Sequence, residues 1–195
     1  VRNPFNSQKR RRPALEQEPV RSAPKTRPRV QSIETHYAGC RFRSRLEARW
    51  AVFLDELHID WEFEPQGFEL PSGRYLPDFR VSTGMEEVPD FWIEIKGPIP
   101  DTREITVASE INLYVGPLII LVGDVPRRRG AGTAWLFQRD GEGYAWVMTQ
   151  PETALLSVAY PEESTRPEYL GSGPDRYEQA LTAARSARFE HGERG

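Results

Sequence analysis

Apolar residues recur along the chain with two periods, and the switches between them lay out its elements. From Leu46, the set Leu46, Trp50, Phe53, Leu54 and Leu57 repeats at helical spacing. Ser44-Arg45-Leu46-Glu47 in front of it has the form of a capping box. Phe91-Trp92-Ile93-Glu94-Ile95-Lys96 reads as a strand closed by Gly97-Pro98. A second capping-type start, Asp101-Thr102-Arg103-Glu104, opens a helix carrying Val107, Ala108, Ile111, Tyr114 and Val115, which Gly116-Pro117 stops. Leu118-Ile119-Ile120-Leu121-Val122 is an unbroken apolar run of strand length, the pattern of a central strand covered on both faces. Residues 134 to 148 read as a hairpin around Asp140-Gly141-Glu142-Gly143. Residues 150 to 174, rich in Pro, Glu, Ser and Gly, read as a linker with room for one short helix. Asp175 through Phe189 returns to a helical pattern, with Tyr177, Leu181, Ala184 and Phe189 apolar and Arg176, Arg185 and Arg188 outside. Docking on the core is the default for that helix.

Side chains alternate across a strand, so Trp92, Glu94 and Lys96 share one face and Phe91, Ile93 and Ile95 the other. An acid and a base then occupy one small volume, sixteen residues after Pro77-Asp78. If Asp78 ends a strand beside them, two carboxylates can hold Mg²⁺ while the lysine addresses a phosphate or its attacking water. That set is what metal-assisted phosphodiester hydrolysis requires. The plainer reading is a same-face ion pair on an exposed strand, contributing at most about 1 kcal/mol. Charges set in a nearly all-apolar strand nevertheless demand a reason. Glu47 also has two readings: it closes the cap of its own helix, or it reaches toward the sheet as a third carboxylate.

The order Glu47 on a first helix, Pro77-Asp78 on a strand and Glu94-Ile95-Lys96 on the next strand resembles the PD-(D/E)XK nuclease superfamily. Phe42-Arg43-Ser44-Arg45-Leu46-Glu47-Ala48-Arg49-Trp50, Trp61-Glu62-Phe63-Glu64-Pro65 and Tyr75-Leu76-Pro77-Asp78-Phe79 look like its small phage and actinobacterial members. They are also similar to the amino-terminal nuclease domain of TnsA-type transposon endonuclease subunits. The likeness covers about residues 36 to 125. It implies an α/β, restriction-endonuclease-like αβββαβ core with a mixed central sheet flanked by helices. It further implies Asp78, Glu94 and the carbonyl of Ile95 as ligands of Mg²⁺ or Mn²⁺, and Glu47 as a residue completing the metal shell. Lys96 would orient or deprotonate water, or offset charge on the phosphorane. Where some relatives carry Gln-x-x-x-Tyr on the second helix, this chain has Glu110 and Tyr114.

Composition limits the rest. With 195 residues, 38% of them hydrophobic, the chain has material for one core. The expected organisation is a disordered basic tail over 1–35, a nuclease-like domain over 36–150, a linker over 151–174 and a carboxy-terminal helix and tail over 175–195. The first thirty residues hold nine Lys or Arg against two acids, a charge of +7, so the net −3 of the chain leaves −10 on residues 31 to 195. An acidic body needs locally placed cations to approach DNA. Arg41, Arg43, Arg45 and Arg49 are the candidates around the first helix, with Arg127-Arg128-Arg129 and Lys9-Arg10-Arg11-Arg12 as further basic runs. One Cys and three scattered His do not make a zinc site, Cys40 is expected buried, and no phosphate-cradling glycine loop is present. No apolar stretch reaches a membrane span or resembles a signal peptide, so the expectation is a cytoplasmic protein, bacterial or phage-encoded. These readings converge on a Mg²⁺-dependent endodeoxyribonuclease acting on DNA. Two alternatives stay open: a noncatalytic nucleic-acid-binding or assembly module of the same fold, and a TnsA-like subunit active only with a partner, transposase-like or from phage replication or recombination. Whether the chain forms a homodimer is open as well.

Overall fold

Segments with period-two patterning pair into a six-stranded sheet, and helices cover both of its faces. The computed structural model describes residues 33–84, 88–140, 143–159 and 176–189, so the basic tail and the tip of the 134–148 hairpin lie outside the described residues. A short hairpin, β1 (Thr35–Tyr37) and β2 (Cys40–Phe42), leads into α1 (Arg45–Glu56). Then come β3 (Asp60–Phe63), a second small hairpin of β4 (Phe68–Leu70) and β5 (Gly73–Tyr75), β6 (Phe79–Ser82) and β7 (Phe91–Lys96). They are followed by α2 (Thr102–Tyr114), β8 (Leu118–Val122), β9 (Thr133–Asp140), β10 (Gly143–Thr149), α3 (Pro151–Ala159) and α4 (Arg176–Ser186). The order across the main sheet is β10-β9-β8-β7-β6-β3. Only β7 and β8 run parallel, with Glu94 opposite Ile120 and Lys96 opposite Val122, because α2 carries the chain back over the sheet between them. The molecule is therefore mixed α/β with a mixed central sheet, as expected, and β4-β5 is inserted into the αβββαβ order.

Alternation in β7 divides the core in two. Phe91, Ile93 and Ile95 pack with Trp50, Phe53 and Leu54 of α1 and with buried residues of α3 and α4. Trp92 packs on the opposite face with Ala108 and Ile111 of α2, Leu70, Leu118, Ile120, Trp135 and Phe137. The apolar run of β8 is buried on both sides for this reason. Helix α4 docks on α1 through Tyr177, Ala180, Leu181 and Ala184, a stripe at helical spacing.

Four sequence expectations are altered. The short helix for which residues 150 to 174 left room is 151–159, and it belongs to the core: Ala154, Leu155 and Val158 are buried against β8 and β9, an apolar face that the prolines and acids around them conceal. With Thr35 buried in β1 and both late helices in the core, the structural unit exceeds 36–150. Cys40 is only half-buried at the start of β2. Arg129, expected among the basic groups for DNA, turns inward. Its Nε donates to Glu152 at 2.6 Å and its backbone N–H to Glu178 at 2.7 Å, tying the β8–β9 connection to α3 and α4.

That connection closes on Gly132, at φ +88°, where an added Cβ would lie 2.7 Å from Cγ of Pro126 and 3.2 Å from Cγ of Pro151. Both the left-handed backbone and the proline rings oppose a side chain there. Gly132→Ala should destabilise the protein by about 1–3 kcal/mol, read as a lowered urea midpoint with an unchanged slope.

Candidate active site

Because β6 runs antiparallel to β7, with Phe79 opposite Ile93, the residue entering β6 lies beside the carboxy-terminal end of β7. That residue is Asp78. It therefore precedes its strand rather than ending it, which corrects the placement expected from sequence while still bringing it to Glu94. Its Oδ2 accepts the backbone N–H of Ile95 at 2.7 Å, a ladder position that a carboxylate fills in place of a carbonyl. Ile95 thus enters the site through its N–H.

Asp78 and Glu94 are only 2% and 6% exposed. Burial, then the charge of Glu94, pushes the Asp78 carboxyl up to about 8, against the opposing bond from Ile95; Glu47 raises it further and Arg43 lowers it. Glu94 Oε1 accepts from Lys96 Nζ at 2.7 Å, while its Oε2 is buried and makes no well-formed hydrogen bond among the described residues. Burial disfavours the Lys96 ammonium, but the charges and hydrogen bonds of Glu94 and Glu104 outweigh it and hold the amine above the ordinary lysine range. Tyr75, at the end of β5, is pushed well above a normal phenol, by burial and then by the charge of Glu94 and its hydroxyl's approach to that carboxylate. Lys96, Tyr75, Glu104, Arg74 and Arg103 line a cavity of about 250 Å³ on the α2 side of the sheet.

The structure adds groups that sequence reasoning left without a role. Glu104 is the N3 residue of the α2 capping box: its Oε2 accepts the Asp101 N–H at 2.9 Å, and its Oε1 lies 3.2 Å from Lys96 Nζ. The capping signal was visible in sequence, but the reach to Lys96 depends on how α2 crosses the sheet. Glu64 stands just after β3 with φ +46°, and its Oε1 lies 2.6 Å from Arg43, whose guanidinium also donates to Asp78 Oδ1 at 2.9 Å.

Glu47 behaves as its local reading expects. Its Oε1 accepts from the Ser44 hydroxyl at 2.8 Å and its Oε2 from the Arg43 N–H at 3.0 Å, while its own N–H donates to Ser44 Oγ. Its carboxylate is spent on the start of α1, and Asp78 feels only its charge. Among the candidate DNA-contacting arginines, Arg43 is held by Asp78 and Glu64, Arg49 by Asp124 at 2.6 Å, and Arg41 lies exposed, 3.6 Å from Glu34. Arg45 lines a separate cavity beside Arg49. Glu110 accepts from the backbone and hydroxyl of Ser72, fastening the β4–β5 turn to α2, and Tyr114 is exposed.

Among the described residues, no three His, Cys, Asp or Glu side chains converge into a ready cation cage. Two acids nevertheless fit a divalent cation in kind. Asp78 and Glu94 are buried oxygen donors, hard ligands of the sort Mg²⁺ takes; one oxygen of Glu94 makes no well-formed hydrogen bond among the described residues, and burial with the charge of Glu94 pushes the Asp78 carboxyl up. No protein-family model matches the chain, and no curated protein matches it.

A folded-state value near 8 against an ordinary 3.8 means that the folded protein binds one more proton than the unfolded chain between those pH values. This group's contribution is therefore intact below about pH 4 and is lost as pH rises toward 8, amounting to a few kcal/mol at most. In chelator, the thermal midpoint of the wild type should fall more steeply from pH 5 to 9 than that of Asp78→Asn. Parallel curves would show that Asp78 is ionised throughout.

Proposed function

We propose that the protein is a metal-dependent nuclease that hydrolyses DNA phosphodiester bonds at Asp78, Glu94 and Lys96, and that its likeness to the PD-(D/E)XK superfamily reflects this chemistry. One observation carries the reading: Asp78 and Glu94 are two buried carboxylates at neighbouring positions, Asp78 pushed up by burial and by the charge of Glu94, with the Lys96 ammonium 2.7 Å from Glu94. A structural Glu94–Lys96 ion pair has no need of a second buried acid beside it, and burying each further charge carries its own desolvation cost.

Asp78 and Glu94 are the residues that would hold Mg²⁺ or Mn²⁺; when bound, the ion supplies Lewis-acid polarisation of the phosphate and a more acidic water. Lys96 stays protonated between Glu94 and Glu104, so of the roles open to it, offsetting charge on the phosphate fits better than removing a proton. Glu104 is its positioning residue. Arg43 neutralises Asp78 and Glu64 from the α1 side. Glu47 contributes by fixing the start of α1 and, through it, Arg43.

A noncatalytic nucleic-acid-binding or assembly module of the same fold is the second reading. It is favoured by the engagement of Glu47 in its own helix and of Asp78 with Arg43. A TnsA-like subunit would share the catalytic residues but require its partner.

End-labelled single-stranded, duplex, flap and four-way-junction DNAs, incubated with Mg²⁺ or Mn²⁺, test the proposal. The wild type should cut at least one of them only with metal, and Lys96→Ala should cut it at least about 100-fold more slowly, the scale for losing one preorganised electrostatic contact. Cutting that survives in chelator or in Lys96→Ala contradicts the assignment. Equal, metal-independent binding by both proteins without cutting favours the module.

A further inference from the structure

The two edges of the main sheet are finished differently. β3, at one end of the strand order, carries exposed Asp60 and Glu62, charged side chains of the kind that keep an edge strand from pairing with another chain. β10, at the other end, runs for seven residues, Gly143–Thr149, without a charge or a proline. Its inner side is paired along its whole length with β9, and among the described residues no strand takes its outer side. Trp146, Val147 and Met148 are 50%, 50% and 61% exposed. Alternation sets Trp146 and Met148 on one face and Val147 on the other, so apolar surface flanks the open ladder on both sides. Trp146 is held in place by stacking on Trp135, with ring centroids 4.7 Å apart. Where α2, the helix covering that face, ends, Tyr114 and Val115 are exposed as well.

A row of backbone N–H and C=O groups between apolar flanks is a template for one more strand. The rest of the chain is poorly suited to supply it. Pro161, Pro167 and Pro174 divide the sequence 160–175, and a proline cannot donate to a ladder. In 1–32 the proline-free stretch of sufficient length, 5–12, holds Lys9-Arg10-Arg11-Arg12, and 190–195 holds Glu190, Glu193 and Arg194. β10 itself is well suited. Laid antiparallel on its own copy, a strand meets itself about a two-fold axis, and with no charge in the segment no like charges come opposite one another. Centred on Trp146, the middle residue, such a pair keeps all seven residues in the ladder and sets Ala145 opposite Val147.

We propose that β10 pairs antiparallel with β10 of a second copy of the chain, joining two six-stranded sheets into one continuous sheet in a two-fold homodimer. The axis reverses strand direction, so the carboxy-terminal ends of the two β7 strands lie at opposite ends of the joint sheet, and each copy keeps its own Asp78, Glu94 and Lys96. The pairing rests on the edge alone and does not depend on the nuclease reading.

Sedimentation velocity of the full chain over a concentration series, with backbone hydrogen exchange at its two ends, tests this. The wild type should reach twice its 22.4 kDa at about 100 µM, where a Kd of about 10 µM leaves mostly dimer. Amides within 143–149 should exchange more slowly as the dimer forms. Val147→Lys, whose ammonium lies diagonally across the axis from its counterpart, should dimerise at least about tenfold more weakly, while Val147→Thr stays close to wild type. Thermal midpoints confirm that each variant folds. Should Val147→Lys fail to fold, Met148→Lys, at a more exposed position, should weaken the dimer in the same direction. A wild type that stays monomeric throughout the series overturns the proposal. So does a dimer that the folded lysine variants leave intact, or one whose formation leaves exchange in 143–149 unchanged, since another surface would then be in use. Open-ended growth beyond the dimer overturns it too, because a two-fold pair leaves only the charged β3 edges outside.

Discussion

The arrangement turns on two carboxylates, Asp78 and Glu94, buried at neighbouring positions where the apolar sheet leaves little water to share their charge. Burying one ionised carboxylate costs several kcal/mol after relaxation, and the charge of Glu94 makes Asp78 harder to ionise. The surrounding elements offset this from separate directions. The Ile95 N–H holds Asp78 to β7, Arg43 reaches it from the loop before α1, and Lys96 pairs with Glu94 while Glu104 on α2 holds the lysine. The compensation is incomplete, because Asp78 is still pushed up to about 8 and an oxygen of Glu94 is left over. A fold needing only rigidity would place apolar side chains there. The residual demand for positive charge is the physical content of the site.

Much of this was legible in the chain because it is local. Alternation in residues 91–96 assigned Glu94 and Lys96 to one face, the capping motif at Asp101–Glu104 set the start of α2, and the unbroken run at 118–122 announced a strand covered on both sides. What escaped the sequence depends on contacts between distant segments. Glu104 reaches Lys96 only once α2 lies over the sheet, and Glu64 meets Arg43 only because the chain turns out of β3 in a left-handed conformation. Asp78 was expected to end a strand; the antiparallel register of β6 on β7 puts it at the beginning, and strand direction is not written in a two-residue motif. Residues 150 to 174 left room for a short helix, but the place of α3 in the core was hidden by its composition, since Pro151, Glu152 and Ser157 surround an apolar face of only Ala154, Leu155 and Val158.

Glu47 illustrates how one residue can satisfy two readings at different strengths. Its hydrogen bonds belong to the amino-terminal turn of α1, yet that turn delivers Arg43 to Asp78. Basic residues are likewise divided by the fold. Arg43 is drawn into the acid cluster, Arg129 into the struts beneath α3 and α4, and Arg49 onto Asp124.

The central claim is that Asp78 and Glu94 await a divalent cation, and calorimetric titration of chelator-stripped protein with Mn²⁺ at pH 7 tests it most directly. Saturable binding by the wild type, with proton release from Asp78 seen as a dependence of the heat on buffer, and no binding by Glu94→Gln, is the expected result. Heats indistinguishable between the wild type and Glu94→Gln, or no binding by either, would mean that the buried acids are balanced by Arg43 and Lys96 alone, and the account of the site would be wrong.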